Sequence, residues 1–291
     1  MKTIAILTDF SQRSEHAAHY ALHLAQKIKA DVLVFNSFLA PSDIPMVASE
    51  VAWPLDYEEN RLETENALKK LTKKLEHWSA NNQLVTDYAP RIGCQCEQGP
   101  LDIAIAAIER NKDIFLVVAG THGTDGLTTL MLGDNCRKIT DLTKIPLLIV
   151  PEHARLKSPE NFAFATGLDF ADIPHLDALA HLARHFSAEI VVTHIHEKDK
   201  DDYEELQSFK KRVTNKVGYR KIVYETATGN NPREGLDWVL AHNKPDVLVM
   251  VHHDKGLFAS IFKGSQTQKM VSHTPVPLLV FPSSSPHAFN F

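Results

Sequence analysis

The chain alternates between short unbroken apolar runs and longer amphipathic stretches. The first run is Thr3–Leu7, and in the following stretch, Ser14–Lys29, small and apolar residues recur at helical spacing. An unbroken apolar run is typical of a strand buried on both faces of a parallel sheet, whereas a spacing of three and four residues indicates a helix with one buried face. The alternation therefore predicts an α/β fold, with helices on both faces of a parallel sheet.

The same patterns predict five strands in the first half of the chain. They are Thr3–Leu7, Asp31–Phe35, a segment near Leu84–Tyr88, Phe115–Ala119 and Ile145–Pro151. The intervening helices are Ser14–Lys29, Tyr57–Trp78, Pro100–Arg110 and Asp134 to about Thr143. A proline-rich segment, Pro41–Pro54, has neither pattern and is expected to be irregular.

The pattern restarts after a polar stretch, His153–Glu160, which we interpret as a linker. Phe162–Phe170 echoes Ile4–Phe10, so the chain reads as an internal duplication. The expected counterparts are Asp9 with Asp169, Gly120 with Val251, Gly123 with Asp254, Gly133 with Gly264, and Pro146-Leu147-Leu148 with Pro277-Leu278-Leu279. Two copies of one α/β unit explain the length of 291 residues better than one large domain does.

The most informative stretch is the fourth apolar run and the loop after it. The chain passes through Gly120, Gly123 and Gly126, and Gly133 precedes Asp134, a good N-cap residue for the next helix. Glycines allow positive φ and close approach of a ligand, and free N–H groups at a helix start favour an anion. The sequence thus indicates a phosphate site, although a simple turn between strand and helix explains the glycines equally well.

The spacing of this loop resembles a known family. Gly120-Thr121-His122-Gly123, followed by nine residues and Gly133, is similar to the signature of the universal stress proteins. That signature is Gly, two residues, Gly, nine residues, Gly, and then Ser or Thr, and in nucleotide-binding members it holds the phosphates of ATP. Here Asp134 stands at the Ser/Thr position.

The resemblance covers nearly the whole chain and implies the fold. We expect two tandem Rossmann-like domains of the adenine nucleotide alpha hydrolase type, residues 1–152 and 161–291, each a five-stranded parallel sheet with helices on both faces. By similarity to the family's dimers, the closing strands Leu147–Val150 and Leu278–Phe281 are expected to pair within the chain, which leaves a further homodimer open.

The resemblance also implies the function, a cytoplasmic stress-response protein that binds ATP, AMP or another adenine nucleotide in its N-terminal domain. The implied Asp position near the adenosine is Asp9. Together the residues expected to bind the nucleotide are Thr8, Asp9, Ser37, Gly120, His122, Gly123, Gly133, Asp134 and Asn135. The alternative role for Asp9 is a helix cap, since Asp and Ser cluster before the first helix.

Asp134 bears on which nucleotide is bound. Its carboxylate repels a triphosphate, and two like charges about 4 Å apart cost about 4 kcal/mol at an effective dielectric constant near 20. Mg²⁺ carried by ATP would reverse this repulsion, with the carboxylate as an oxygen ligand. Two alternatives therefore remain: a scaffold that binds protein partners and no nucleotide, and a slow ATPase or self-phosphorylating protein.

The second copy is expected to have a degenerate site. Val251 and Asp254 replace the first two glycines of the motif, so a side chain and a charge should crowd and repel phosphate. Ser265 with Gln268 fits a helix capping box, which accounts for the remaining part of the motif without a ligand.

Composition excludes several classes of function. A net charge of −5 gives no basic surface for nucleic acid, and no apolar run approaches the ~20 residues of a membrane span. The N-terminus reaches Asp9 too soon for a signal peptide, and three cysteines are too few for a disulfide framework. These features predict a cytoplasmic protein.

No catalytic or metal site is indicated. Ser11, Ser14 and His16 lie close in sequence, but capping explains the serines. His194-x-His196 and His252-His253-Asp254 could meet at one end of the second sheet, yet no spacing matches an established zinc pattern, so we expect no resident metal. The spacing Cys94-x-Cys96 indicates two ordinary thiols.

Overall fold

The computed structural model describes residues 2–38, 56–82, 88–121, 138–197, 202–229, 232–253 and 276–283. The first half contains strands β1 (Thr3–Leu7), β2 (Asp31–Phe38), β3 (Ile92–Gln98), β4 (Ile114–Gly120) and β5 (Leu147–Val150), with helices α1 (Gln12–Ile28), α2 (Asp56–Asn81), α3 (Leu101–Arg110) and α4 (138–142). The second half contains strands β6 (Asn161–Thr166), β7 (Glu189–Glu197), β8 (Ile222–Gly229), β9 (Val247–His252) and β10 (Leu278–Pro282), with helices α5 (Ile173–Phe186), α6 (Tyr203–Lys216) and α7 (Pro232–Asn243).

The strands form one ten-stranded sheet in the order β3-β2-β1-β4-β5-β10-β9-β6-β7-β8. Each half contributes five parallel strands, so the predicted α/β class with two parallel five-stranded units is confirmed. The halves meet where β5 and β10 pair antiparallel, with Leu279 opposite Leu148. Because of this antiparallel contact, the carboxyl ends of the two parallel sets lie at opposite edges of the sheet.

The central strand β4 is buried along its whole length, as its apolar sequence predicts. Successive side chains of a strand point to opposite faces, so β4 contributes to two separate cores. One core contains residues of α1, α2, α5 and α6, and the other contains residues of α3, α4 and α7. Helices thus cover both faces of the sheet.

The third strand differs from the prediction. It is Ile92–Gln98, C-terminal to the expected segment near Leu84–Tyr88, of which the structure describes only Tyr88, outside regular structure. β3 lies at the edge of the sheet and is mostly exposed, so its sequence, Ile-Gly-Cys-Gln-Cys-Glu-Gln, needs no apolar run. Its backbone position is fixed by parallel pairing with β2.

The polar segment between the halves packs along α1. Arg13 Nε donates to Glu152 Oε2 at 2.8 Å, His16 Nε2 lies 2.9 Å from the carbonyl oxygen of Ala154, and His23 Nε2 lies 3.2 Å from Ser158 Oγ. Ala154 is buried. Across the described part of the chain, no helix has both the length and the apolar character needed to cross a bilayer.

Candidate functional site

A cavity of about 180 Å³ opens at the carboxyl ends of β1, β2 and β4. This position is set by topology, because helices leave the strands here in different directions and the chain cannot fill the space between them. The lining residues are Leu7, Thr8, Asp9, Ser14, Phe35, Asn36, Ser37, Leu101, Ala119, Gly120 and Ile139.

Four of the residues expected to bind a ligand line this one cavity. Thr8 and Asp9 come from the end of β1, Ser37 from β2, and Gly120 from the end of β4. The other five, His122, Gly123, Gly133, Asp134 and Asn135, lie outside the described residues, as does the Pro41–Pro54 segment.

Asp9 supplies a negative charge at the mouth of the cavity. Its Oδ1 accepts hydrogen bonds from the Ser11 hydroxyl at 2.5 Å and from the Ser11 backbone N–H at 3.0 Å. Burial alone would raise the pKa of Asp9, but hydrogen bonds from Ser11 and Ser14 outweigh it and hold that pKa below its ordinary value. Asp9 is therefore ionised near neutral pH and accepts, but does not donate, hydrogen bonds.

The helix-cap role belongs to Ser11. Its side chain accepts from the backbone N–H of Ser14 at the start of α1. Asp9 supports this cap through Ser11 and is itself exposed, so the alternative that Asp9 is the cap is wrong in detail. The Asp9 carboxylate lies two residues before the N-cap and is exposed, so it is accessible to a ligand.

Thr8 has a structural role in the cavity wall. Its hydroxyl lies 3.0 Å from the Ser14 hydroxyl and accepts the backbone N–H of Phe10, which has a left-handed φ of 62°. The side-chain amide of Asn36 donates to the Thr8 carbonyl oxygen at 2.7 Å. These contacts join the ends of β1 and β2 and give the cavity a fixed rim.

Sequence reasoning did not assign Ser14 or the side chain of Asn36 to the site. Ser14 was explained as a capping serine, and Asn36 was not among the residues expected to bind the nucleotide. The available signal was position, because both residues follow strands that end at the same edge of a parallel sheet.

The rest of the wall is apolar. Leu7, Phe35, Leu101, Ala119 and Ile139 are all lining residues, and three of them, Phe35, Ala119 and Ile139, are buried in the second core. From sequence they could not be distinguished from ordinary core positions. A cavity with one apolar side and a rim of hydroxyl, amide and carboxylate groups suits a flat ring that carries polar substituents.

Gly120 is required by packing as well as by position. A Cβ added at Gly120 would lie 2.8 Å from the carbonyl oxygen of Arg13 and 3.3 Å from the backbone nitrogen of Ser14. The start of α1 therefore packs directly on the end of β4. The close approach at this glycine is made by the chain itself, whereas the sequence had suggested approach by a ligand.

The second half carries a different set of residues at the equivalent place, and the expected pairing of Asp9 with Asp169 is wrong. The Thr166 hydroxyl accepts the backbone N–H of Leu168, which has a φ of 66°, just as Thr8 accepts that of Phe10. The residue between Thr166 and Leu168 is Gly167. The counterpart of Asp9 is therefore Gly167, and Asp169 caps the following turn as Ser11 does in the first half.

Side chains of the second half bond to one another at this place. Asp172, the counterpart of Ser14, accepts the Thr166 hydroxyl at 2.7 Å, and its other oxygen lies 2.6 Å from His253 Nε2. His194, the counterpart of Asn36, places Nδ1 3.3 Å from the Thr166 carbonyl oxygen and Nε2 3.1 Å from Asp202. Among the described residues, no three His, Cys, Asp or Glu side chains converge as metal ligands would.

Two apolar residues also differ between the halves. Register aligns Val251 with Gly120, as the sequence predicted, because Ile4 pairs with Leu116 and Phe162 pairs with Val247. Ile195 takes the place of Ser37, and its Cγ2 lies 2.3 Å from the position that a Cβ on Gly235 would occupy. Helix α7 thus packs tightly against the end of β7.

The amino-acid sequence is similar to that of universal stress proteins in both halves. A model of the Universal stress protein family matches residues 1–151 and 164–282, which together form most of the chain. A universal stress protein of Methanocaldococcus jannaschii is 28% identical over 149 residues, covering 51% of this chain and 81% of that protein.

Solved structures show the same fold over the full length. A universal stress protein from Archaeoglobus fulgidus matches with a TM-score of 0.70 at 15% identity, covering 97% of this chain and 98% of that one. A putative universal stress protein from Pseudomonas aeruginosa matches with a TM-score of 0.58 at 10% identity, covering 97% and 93%. At these identities the likeness concerns the arrangement of the chain and not its ligand.

Proposed function

The chain belongs to the universal stress protein family, and from this premise we propose that its first half binds an adenine nucleotide in the cavity at the ends of β1, β2 and β4. The observation that carries the proposal is the convergence of Thr8, Asp9, Ser37 and Gly120 on one cavity. On this proposal the protein is a cytoplasmic stress-response protein whose state depends on the nucleotide bound.

The charge of Asp9 orients the ligand. An ionised carboxylate pairs with hydrogen-bond donors and repels phosphate. A nucleotide offers ribose hydroxyls and the adenine amino group as donors, so this end faces Asp9 while the phosphates extend toward the glycine motif after Gly120. The site residues that lie in that motif, His122, Gly123, Gly133, Asp134 and Asn135, belong to the proposal on sequence grounds.

The size and polarity of the cavity support a base and sugar more than a whole triphosphate. Its volume of about 180 Å³ is below the roughly 300–1,000 Å³ of most ligand pockets, so only part of the ligand is enclosed. The apolar wall of Leu7, Phe35 and Leu101 offers a surface for the base. The Ser37 and Asn36 side of the rim offers polar groups at its edge.

Calorimetry of the full chain with AMP, ADP and ATP tests the proposal. We expect saturable binding that weakens in Asp9→Asn and is unchanged in Asp169→Asn, the matched acid of the second half that caps a turn. Absence of heat at millimolar nucleotide, or equal weakening by both variants, would refute nucleotide binding at this cavity.

The same titration addresses Mg²⁺. Because Asp134 repels a bare triphosphate, Mg²⁺ should strengthen ATP binding by acting between the carboxylate and the phosphates. AMP places fewer charges near Asp134, so its affinity should change little. If Mg²⁺ affects both nucleotides equally, Asp134 does not lie near the terminal phosphates.

A scaffold role is the second candidate, and one observation favours it. The hydroxyls of Thr8 and Ser14 already bond to each other, and in the second half the equivalent Thr166 and Asp172 also bond to each other, with His253 on the other oxygen of Asp172. On this reading the paired strands β5 and β10 hold two domains, residues 1–152 and 161–291, as one body in solution. Light scattering would distinguish a compact monomer from a homodimer, and purified protein with bound adenylate would exclude the scaffold-only role.

A further inference from the structure

Helix α4 contacts both the cavity and the second half of the chain. Ile139 is buried and lines the cavity, whereas Oδ1 of Asp141 lies 3.4 Å from Nε2 of His252 at the end of β9. Residues two apart in an α-helix are rotated by about 200° around its axis, so these side chains leave α4 on nearly opposite sides. Helix α4 thus contacts the cavity with one side and His252 with the other.

The sheet topology explains why the two partners of α4, the cavity and His252, lie at opposite edges of the sheet. His252 pairs with Pro282 at the end of β10, and β10 runs antiparallel to β5, with Val280 opposite Leu147. The carboxyl end of β9 thus lies at the same edge of the sheet as the start of β5, with β10 between them. The described part of α4 contains Ile139 beside the cavity and ends shortly before β5, so it lies between the two edges.

The end of α4 is closed by its own backbone and joined to α3. The backbone N–H of Thr143 donates to the Ile139 carbonyl oxygen at 2.8 Å, and that of Lys144 donates to Glu109 Oε1 of α3 at 2.6 Å. Leu101, at the start of α3, also lines the cavity. Contacts therefore run from the cavity wall through α3 and α4 to Asp141 and His252.

We infer that the contact between Asp141 and His252 couples occupancy of the first-half cavity to the second half of the chain. The inference rests on the proposed function, because it concerns regulation of that same site. A partly exposed pair of this kind changes an equilibrium by about two- to fivefold. The coupling is reciprocal, so the factor by which nucleotide favours the contact is the factor by which the contact favours nucleotide binding.

The first test needs no nucleotide. The δ1-methyl resonance of Ile139 is followed by NMR in the wild type, Asp141→Asn and His252→Gln. The control is His181→Gln, because His181 and Asp177 form a comparable exposed pair within α5, with Nε2 and Oδ2 4.0 Å apart. We expect the methyl resonance to move in the first two variants and to stay fixed in the control. An Ile139 methyl chemical shift that is unchanged in both variants would overturn the coupling.

The second test uses AMP as the probe. Calorimetry should show a two- to fivefold change in Kd in each single variant, and the change in the double variant Asp141→Asn/His252→Gln should be smaller than the two single changes combined, because the substitutions share one contact. Additive effects, or Kd values equal to the wild type, would contradict the inference. If the wild type binds no AMP, the proposed nucleotide binding is refuted, but the coupling is still tested separately. The methyl resonance shows whether loss of the contact between Asp141 and His252 affects the cavity wall.

Discussion

Substitution of Gly120 by alanine tests the packing of the candidate site. The added Cβ would lie 2.8 Å from the Arg13 carbonyl oxygen and 3.0 Å from its carbon, whereas ordinary van der Waals contact begins at 3.4 Å. The obstructing atoms are backbone at the first turn of α1, so α1 and the end of β4 must separate by about half an ångström. Overpacking of this kind lowers the free energy of unfolding by about 1–3 kcal/mol.

The control is Gly167→Ala, a glycine that follows β6 in the second half at the position of Asp9 in the first. A Cβ there meets no atom within 4 Å, and Gly167 does not have a left-handed φ. That substitution should leave stability unchanged or raise it by about 0.4–1 kcal/mol, because it restricts the unfolded chain. The effect of Gly120→Ala is thus expected to have the opposite sign from that of its control.

Urea unfolding monitored by circular dichroism measures both variants, with the slope checked for a common value. Separation of α1 from β4 also displaces Ser14 and Gly120, which line the cavity, so nucleotide affinity should fall together with stability in Gly120→Ala. A Gly120→Ala protein as stable as the wild type, or Gly167→Ala equally destabilised, would refute the view that α1 packs directly on the end of β4.

Three further substitutions have defined outcomes. Burial alone would raise the pKa of Asp31, but hydrogen bonds from Arg91 and Tyr88 lower it. The ionised Asp31 therefore stabilises the folded state; this contribution is complete above the unfolded-state pKa and is lost as pH falls through the folded-state pKa. Asp31→Asn should therefore lower the free energy of unfolding by about 1–3 kcal/mol at pH 7. It should also flatten the pH dependence of that free energy in the range where carboxyl groups titrate, roughly pH 5 to 3, and an unchanged pH dependence would contradict this. Asn36→Ala removes the 2.7 Å hydrogen bond to the Thr8 carbonyl oxygen and should lower the free energy of unfolding by about 0.5–1.5 kcal/mol. It should also weaken nucleotide binding, and the absence of both effects would show that this bond does not fix the rim of the cavity. Asp246→Asn weakens an acceptor of the Glu160 and Asn161 backbone N–H groups, so hydrogen exchange should speed up at these two amides, and unaltered exchange would argue against that anchor.

The sequence predicted the central elements because their physics is local. β4 is an unbroken apolar run and is buried along its length, and α1 has one apolar face and a capping serine. The binding residues Asp9, Ser37 and Gly120 were expected from the family resemblance. Their common location agrees with topology, since the ends of β1, β2 and β4 meet at one edge of a parallel sheet.

Other features depend on contacts that a sequence does not display. β3 is an edge strand, and its backbone pairing with β2 does not require apolar side chains. Its polar sequence therefore lacks the apolar pattern from which a strand is predicted. The alignment of Asp9 with Asp169 was wrong by two residues because both acids follow a strand, and only the hydrogen bonds of Thr8 and Thr166 fix the equivalence. The apolar cavity wall could not be separated from the core, because both use the same residue types.

The central claim is that the first half, and not the second, holds an adenine nucleotide between the ends of β1, β2 and β4. A difference map from crystals soaked in Mg-ATP tests it most directly. The account predicts density for a base and ribose against Leu7, Phe35 and Ser37, with ribose hydroxyls toward Asp9, and none beside Gly167 in the second half. A nucleotide beside Gly167, or an empty first-half cavity at millimolar ligand, would contradict it.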